Sequence, residues 1–293
     1  MGGAARALRG ARSLTFSLQL VRALPRRLVS RALGRLANAR APRVVLSPVL
    51  SLYCKRFRVD LDEADRPLSD YATFNDFFTR ALKPGLRPLD ADPAAIVSPV
   101  DGRVHASGPV ESGTILQAKG VPYRLEDLLG SAEDARLFDG GAFATLYLSP
   151  RDYHRIHMPF DGALSRVRHV PGDLWPVNDE AVAAVPRLFA RNERAACVGA
   201  LPSGAPFAMV PVGALNVGSI RLTFHPLRTN RPVHGPALST FEPPAALRRG
   251  EEFGRFEFGS AVVLLLSRAA GTLSPLEPQA PVRLGRAIGR LPR

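Results

Sequence analysis

The stretch FEFGSAVVLLL, residues 256–266, places six apolar residues in succession after a Gly-Ser pair. An uninterrupted apolar run of this length is typical of a strand that is buried on both faces. A glycine near the head of such a strand often marks a bulge or a close approach of backbone. The pair Gly259-Ser260 therefore has a structural interpretation, and it also has a chemical one if partners for the hydroxyl come from elsewhere in the chain.

Similar short apolar runs, separated by Pro, Gly and Asp, occur upstream. They are AFATLYLS (142–149), ALSRVRHV (163–170) and FAMVPVGALNVGSIRLTF (207–224). Runs of that length and spacing predict an antiparallel, β-rich core. We therefore expect an α+β fold in which N-terminal amphipathic helices are followed by a mainly antiparallel β-rich catalytic core.

Two short helices are predicted ahead of most of these runs. In residues 71–85, Thr73 and Asp76 resemble a capping box and Pro84-Gly85 should end the helix. Residues 125–138 are also helical in pattern, with a break at Gly130. After Ser267 the chain is rich in Pro and Arg, and we expect that tail to be loosely held.

The net charge of +13 is concentrated at the N-terminus. No Asp or Glu precedes Asp60, and 13 of the 39 Lys and Arg residues do, which leaves 26 basic and 26 acidic residues in the remainder. The two cysteines, Cys54 and Cys197, lack the spacing of a disulfide framework or a zinc site and indicate a reducing compartment. We divide the chain into a basic attachment segment, 1–58, and a catalytic domain, 59–293.

The basic segment has the pattern of a surface-bound amphipathic helix. At helical spacing, residues 12–37, RSLTFSLQLVRALPRRLVSRALGRLA, form an apolar face and an arginine-rich face. Pro25 should kink or split this helix. This pattern favours attachment to an anionic membrane surface. No stretch reaches the roughly 20 apolar residues that span a bilayer, since residues 44–54 are too few and are broken by Pro48. A mitochondrial-type transit peptide and a nucleic-acid-binding arm remain alternatives.

Several polar residues could carry chemistry. His154 and His157 lie three apart in YLSPRDYHRIHMPFDG (147–162), a spacing that suits half a metal site, a pair of loop bases or two structural histidines. Asp101 lies in an Asp-Gly turn of SPVDGRV (98–104). An Asp, a His and the glycine-preceded Ser260 are the parts of an activated-serine relay. Because no GxSxG elbow surrounds Ser260, an ordinary α/β-hydrolase is disfavoured.

Eight blocks of the sequence, taken in order, resemble bacterial phosphatidylserine decarboxylases over nearly the whole chain. The blocks are TFNDFFTRALKPGLRPLD, SPVDGRV, ILQAKGVPYRLEDLLG, YLSPRDYHRIHMPFDG, VPGDLWPVN, LFARNERAACV, VGALNVGSI and GRFEFGSAVV. The resemblance implies that the Gly259-Ser260 bond cleaves itself, giving chains 1–259 and 260–293, and that Ser260 becomes a pyruvoyl group. It maps His157 as the base for this cleavage, Asp101 as the group that orients it, and His154 as the proton donor in decarboxylation.

The same resemblance implies the substrate and the setting. Phosphatidylserine would form a Schiff base with the pyruvoyl group, lose CO₂ and leave as phosphatidylethanolamine, with no metal required. The expected partners are phosphatidylserine, an anionic membrane surface and the two chains of one precursor, with a homodimer of the processed pair allowed and no nucleic acid. The expected location is the cytoplasmic face of a bacterial inner membrane, as a peripheral protein, with the mitochondrial inner membrane as the alternative.

One departure from the family pattern bears on maturation. The family usually has LGST at the cleavage site, whereas this chain has Phe258, Gly259, Ser260 and Ala261. The missing threonine hydroxyl removes one hydrogen bond, which at about 1 kcal/mol would slow maturation without abolishing it. Two other functions therefore stay open: a membrane-associated serine hydrolase that uses Asp101, His157 and Ser260 without cleavage, and a membrane-bound relative that does not mature.

Overall fold

The structure, a computed structural model, describes residues 19, 21–22, 24–117, 120–215, 219–231, 237–257 and 260–292. The helices are α1 (Arg26–Asn38), α2 (Arg43–Phe57), α3 (Phe74–Phe78), α4 (Leu125–Leu129), α5 (Ala132–Arg136), α6 (Asp179–Ala184), α7 (Leu188–Arg191) and a 3₁₀ turn (Leu68–Asp70).

The strands are β1 (Ala95–Val97), β2 (Gly102–Pro109), β3 (Thr114–Gln117), β4 (Val121–Arg124), β5 (Ala142–Leu148), β6 (Arg155–His157), β7 (Gly162–Val170), β8 (Arg194–Ala200), β9 (Pro206–Gly213), β10 (Ser219–Leu222), β11 (Ala237–Leu247), β12 (Glu252–Glu257), β13 (Ser260–Leu266), β14 (Thr272–Leu273), β15 (Pro281–Val282) and β16 (Ala287–Arg290). All their pairings are antiparallel. Helices at the N-terminus followed by this β-rich core confirm the predicted α+β class.

Strand β13 lies inside the main sheet, whose eight strands run in the order β11-β7-β8-β9-β13-β5-β2-β15. Its two neighbours are β5 and β9, and all seven of its residues are buried. Because successive side chains of a strand point to opposite faces, a strand covered on both sides is apolar throughout. This is the physical reason for the run AVVLLL in the sequence.

The sheet separates two apolar cores. Val262, Leu264 and Leu266 belong to the core beneath two small sheets, β10-β12-β6 and β1-β16-β14, while Ala261, Val263 and Leu265 belong to the core beneath helices α4 to α7. Ser260 is the residue at which β13 enters this layered structure. Two ladders of hydrogen bonds, one to β5 and one to β9, begin at that serine and fix the backbone from Ser260 to Leu266.

The N-terminal helices pack on the rest of the molecule through a third, smaller core. Residues of α2, among them Leu50 and Tyr53, contact Phe77 and Phe78 of α3. Helix α1 begins immediately after Pro25, as expected for a helix split at that proline, and residues 12–18 of the predicted helix lie outside the described residues. Its Arg26 forms an ion pair of 2.5 Å with Asp173, so part of the arginine-rich face binds the protein itself.

Helix α2 runs through Pro48 and is not broken there, which corrects the expectation for residues 44–54. Because proline has no N–H, the carbonyl one turn earlier lacks its helical hydrogen bond. Pro48 is exposed, so that carbonyl can bind water instead. No helix in the described ranges combines the length and the apolar character needed to cross a bilayer.

The predicted helix at 71–85 is shorter than expected. Thr73 caps α3 by accepting a hydrogen bond from the Asp76 N–H, as the pattern indicated, but the helix ends at Phe78, well before Pro84. The break at Gly130 is confirmed, since that residue separates α4 from α5 with a left-handed φ of 67°.

The expectation of a loosely held tail is wrong. Strand β15 pairs with β2, and β16 pairs with both β1 and β14. Leu284 and Ile288 are buried, and Ile288 completes the core beneath the small sheets. Prolines and arginines dominate the composition of this segment, but its few apolar side chains decide its position because their burial stabilises the ordered state.

Candidate active site

Ser260 lies in the wall of a cavity. It pairs with Leu148 of β5 and Gly213 of β9 and is fully buried. The cavity measures about 280 Å³. It is lined by Phe57, Phe78, Tyr147, Leu148, Pro150, His154, Pro176, Val177, Asn178, Ala214, Leu215 and Ser260. A hydroxyl in this setting is shielded from bulk water and faces mainly apolar groups.

His154 is the histidine that contacts Ser260. Its Nδ1 lies 3.2 Å from Ser260 Oγ, and its Nε2 lies 3.1 Å from the carbonyl oxygen of Ser149. A carbonyl can only accept, so Nε2 carries the proton, and in a neutral ring Nδ1 accepts the hydroxyl proton of Ser260. Burial, followed by the charge of Arg80, lowers the pKa of His154 to about 3. The ring is therefore neutral near pH 7 and is placed to take the serine proton.

The imidazole of His154 is held from two sides. The ring of Phe78 stacks on it with centroids 4.0 Å apart and an interplanar angle of 24°. On the other side, the hydrogen bond to the Ser149 carbonyl fixes the tautomer. Ser149 is itself anchored, because its N–H and its hydroxyl both donate to Asp152 Oδ2 at 2.7 Å. The orientation of His154 thus depends on the loop between β5 and β6.

The N-terminal helices secure the same loop. The Tyr53 hydroxyl of α2 donates to the carbonyl of Pro150 at 2.5 Å. The Nη2 of Arg80, which follows α3, donates to the carbonyl of Arg151 at 3.1 Å. Tyr53 also packs edge-on against Phe78, the residue that stacks on the histidine. A continuous set of contacts therefore leads from α2 to the cavity of Ser260, which we call the reactive cavity.

His157 lies on β6 and has other partners. Its Nδ1 donates to the carbonyl of Gly250 at 2.8 Å, so its Nε2 accepts from the Tyr153 hydroxyl at 3.2 Å. Burial lowers the pKa of His157, and the hydrogen bond to Gly250 and, more weakly, the carboxylate of Asp101 oppose that effect. To act on another proton donor, His157 would first have to release Tyr153.

Asp101 is buried and is held by an arginine. Its carboxylate accepts from Arg87 Nε at 3.0 Å and Arg87 Nη2 at 2.6 Å, and from the Leu284 N–H at 2.9 Å. Arg87 also donates to Glu63, so that its single positive charge is shared by two carboxylates. The Asp101 carboxylate therefore joins the turn at 98–104 to the C-terminal segment.

Of the residues predicted from the sequence, the structure brings His154 and Ser260 together. Within the described residues, no hydrogen bond joins His157 to Ser260 or to Asp101. Gly259, the other half of the predicted cleavage site, lies outside the described residues. The described part of the chain also holds no group of three or more His, Cys, Asp or Glu placed to bind a metal ion.

Sequence reasoning missed the residues that orient His154. Phe78 had the pattern of a core residue in an amphipathic helix, and nothing in its spacing distinguished it from Phe77. Ser149 and Asp152 did carry a signal, because a Ser-Pro-Arg-Asp sequence is typical of a turn in which the side chains bond the local backbone. That turn holds the loop on which His154 sits.

A sequence profile described as phosphatidylserine decarboxylase matches residues 74–290, a span that contains Asp101, both histidines and Ser260. The chain belongs to the phosphatidylserine decarboxylase family. It is 50% identical over 272 residues to a phosphatidylserine decarboxylase proenzyme of Acidovorax ebreus, covering 90% of this chain and 94% of that protein.

Two further proteins of the phosphatidylserine decarboxylase family are similar over comparable lengths. The proenzyme of Shewanella loihica is 44% identical, covering 95% of this chain and 99% of its own. The proenzyme of an Anaeromyxobacter species is 43% identical, covering 93% and 97%. The similarity therefore extends beyond the profile match and includes most of the N-terminal helices.

Proposed function

We propose that this protein decarboxylates phosphatidylserine to phosphatidylethanolamine after cutting itself between Gly259 and Ser260. The observation that carries the proposal is the buried Ser260 hydroxyl, hydrogen-bonded to a neutral His154 in the wall of a cavity. The similar proteins are named phosphatidylserine decarboxylase proenzymes, and a proenzyme is a precursor that becomes active by processing. A serine held in this way suits an attack on its own peptide bond.

The cleavage needs only groups of the chain and water. Ser260 Oγ attacks the Gly259 carbonyl carbon and loses its proton; the C–N bond breaks, the amide nitrogen gains a proton, and an ester results. Loss of the α-proton of residue 260 then expels the Gly259 carboxylate and leaves a dehydroalanine. Water then displaces the nitrogen of the dehydroalanine as ammonia. A pyruvoyl group is left at the N-terminus of the chain 260–293. A glycine before the serine offers no Cβ to obstruct the attack.

We further propose a division of labour between the histidines, in which His157, oriented by Asp101, serves self-cleavage and His154 serves decarboxylation. Burial lowers the pKa of His157, and the hydrogen bond to Gly250 and the carboxylates of Glu252 and Asp101 oppose that lowering, which favours its use as a base in the first step. The second step takes place on residue 260, which His154 already contacts. That contact also makes His154 the rival base for self-cleavage, so the two assignments must be separated by experiment.

The surroundings of residue 260 fit a pyruvoyl group. The position is fully buried, and the cavity in front of it has room for a serine headgroup. A pyruvoyl carbonyl supplies an electron sink that accepts the amine of the substrate and then the electron pair left by the departing carboxylate. Around it, Phe78 and the Ser149 carbonyl orient His154, and the apolar walls exclude water, which favours loss of a charged carboxylate as neutral CO₂.

The test begins with the mass of the purified protein. Denaturing mass spectrometry should find two chains, 1–259 and 260–293, the smaller with a blocked N-terminus, and the processed protein should release CO₂ from phosphatidylserine. Ser260→Ala should stay a single chain of 31.6 kDa without activity. An intact wild-type chain that hydrolyses esters would support a serine hydrolase, and an intact inert chain would show that Ala261 prevents maturation.

Single histidine variants separate the two steps. We expect His157→Ala to remain one chain, and His154→Ala to be cleaved and yet to decarboxylate slowly, by roughly 10²-fold or more, as for loss of a group that transfers a proton. Circular dichroism and thermal unfolding check that each variant is folded. If His154→Ala stays intact while His157→Ala is cleaved, the roles are the reverse of those proposed.

We also propose that residues 1–58 attach the protein to an anionic membrane as a peripheral protein. Eight of the 13 exposed large hydrophobic residues in the described part of the chain lie between Leu24 and Leu52. They share the segment with arginines that no acidic residue of the same segment balances. Apolar side chains flanked by basic ones suit the interface of an anionic bilayer, and the proposed substrate is itself an anionic lipid of that bilayer.

A further inference from the structure

A second cavity adjoins the one that holds Ser260. It measures about 470 Å³ and shares Phe57, Tyr147 and Pro150 with the reactive cavity. The two cavities differ in character, because the second has four arginines in its wall. These residues, which we call the basic vestibule, are Arg56, Arg58, Arg103 and Arg151.

Two guanidinium groups of the basic vestibule stand at the junction with the reactive cavity. The Arg56 guanidinium lies over the ring of Phe57 with its carbon 5.3 Å from the centroid, and that of Arg103 lies 4.8 Å from the centroid of Tyr147. Cation–π contacts of this kind orient an arginine without using its N–H groups. Because Phe57 and Tyr147 line both cavities, the two guanidinium groups lie beside the wall that the cavities share.

The charge of the basic vestibule is only partly balanced. Arg103 pairs with Asp179 at 2.9 Å, and Arg151 lies 3.8 Å from Asp152. The side chains of Arg56 and Arg58 form neither a hydrogen bond nor an ion pair within the described ranges, and the only contact of Arg58 of this kind is its backbone N–H to the Cys54 carbonyl. Two guanidinium groups with free donors therefore line a cavity that shares part of its wall with the cavity of Ser260, and a phosphate is the anion whose geometry such groups match.

We propose that the basic vestibule binds the phosphodiester of the lipid substrate while its serine headgroup occupies the reactive cavity. Only two carbons and one oxygen separate the amine of phosphatidylserine from its phosphorus, so an amine beside residue 260 places the phosphate near the shared wall of Phe57, Tyr147 and Pro150. Arg56 and Arg58 bind one anionic oxygen or both, and Arg103 contributes the donors that Asp179 leaves free. This assignment rests on the proposed decarboxylation.

The test removes two charges from the basic vestibule and, in a control protein, two charges from the same N-terminal region that line neither cavity. The variant is Arg56→Gln with Arg58→Asn; asparagine is chosen because residue 58 has a φ of 57°, which asparagine tolerates. The matched control is Lys55→Gln with Arg40→Gln, two exposed residues that do not line either cavity. Both proteins are first checked for complete self-cleavage.

Kinetics are measured on monomeric dihexanoyl phosphatidylserine, so that no membrane surface contributes. We expect the basic-vestibule variant to raise KM roughly tenfold, the effect of losing about 1.4 kcal/mol of binding, with kcat within about twofold of the wild type. The control should match the wild type in both parameters. An unchanged KM on the monomer, with a loss of activity on anionic vesicles alone, would overturn the proposal and assign these arginines to the bilayer surface.

Inhibition distinguishes the lipid phosphodiester from free phosphate. Glycerophosphoethanolamine should inhibit the wild type more strongly than inorganic phosphate does, and the variant should lose that preference; equal inhibition by both in the two proteins would overturn the proposal. If the processed wild type does not decarboxylate phosphatidylserine, the proposed function fails first. Calorimetric binding of dihexanoyl phosphatidylethanolamine, weaker in the variant than in the control, would then still support the phosphodiester site, and equal binding would refute it.

Discussion

Strand β13 and the helix pair α1–α2 are both rich in leucine and valine, yet these residues are buried in the strand and many of them are exposed on the helices. Every residue of β13 is buried between two cores. On the helices, Leu28, Leu36, Val44 and Leu52 are 63%, 71%, 81% and 70% exposed. The apolar residues of β13 thus stabilise the fold by their burial, whereas these four apolar side chains of the helices have most of their surface exposed.

The difference also separates the residues of the proposed chemistry from those of the proposed membrane attachment. Ser260 sits at the head of the fully buried strand, where neighbouring strands fix its backbone. The helices contribute to the site through Tyr53 and Phe57 on their inner side, and their outer side carries the exposed leucines and valines. One helix pair can therefore lie on a membrane and at the same time support the loop of His154.

The largest expected effect is on stability. Leu264→Ala in β13 should lower the free energy of unfolding by about 2–5 kcal/mol, because it leaves a cavity in a packed core. Leu36→Ala, the same change on the exposed face of α1, should alter it by less than about 0.5 kcal/mol. Urea unfolding of both, in the uncleaved Ser260→Ala background, makes the comparison. Equal losses would show that α1 is buried against a part of the protein itself.

The second expected effect is on membrane binding. A variant with Leu28, Leu36, Val44 and Leu52 all changed to Ser should sediment much less with phosphatidylserine vesicles, since burying one such side chain is worth about 1.5–3 kcal/mol. Its self-cleavage should be unchanged. High salt should weaken attachment of the wild type further, because it screens the arginines. Undiminished sedimentation of the variant would place the attachment on another surface.

The third effect is a pH dependence of the free energy of unfolding that arises from the buried His154. Burial lowers the pKa of His154 to about 3 from an unfolded value of 6.5, so between these values the unfolded chain binds the extra proton. Stability from this residue is therefore full above pH 6.5 and is lost as the pH falls, by about 1.4 kcal/mol per unit. Unfolding of His154→Phe should show a correspondingly shallower slope between pH 6.5 and 5. Parallel curves would mean that His154 titrates normally in the folded protein.

The smallest effect tests the link between the two regions. Tyr53→Phe removes the hydrogen bond to Pro150 and should lower stability by about 1 kcal/mol, with a several-fold lower kcat because the His154 loop loses a support. Tyr71→Phe is the matched control, since its hydroxyl binds Asp65 in the same small core and does not reach the loop. If both variants retain wild-type kcat, α2 does not position His154.

The sequence by itself determined the secondary structure wherever a local pattern was strong. The apolar run at 261–266 required a strand covered on both faces, Gly130 required a left-handed break, and Thr73 marked the start of a helix. It also identified His154 and Ser260 as candidates, because ordered sequence blocks carry a family resemblance. Where the pattern was compositional, as in the tail after Ser267, the prediction failed, since burial of Leu284 and Ile288 depends on strands far away in the chain.

Only the tertiary structure decided which of two histidines meets Ser260. His154 and His157 are three residues apart in the same loop and strand, and nothing in their spacing ranks one above the other. The short strand β6 pairs with β12 and points His157 toward Gly250 and Tyr153, while Phe78 and Ser149 turn His154 toward β13. Ser149 and Tyr153 lie in the same loop as the histidines, but Phe78, Gly250 and strand β13 are far away in the chain. A choice that depends on such non-local contacts is not encoded in any local pattern of residues.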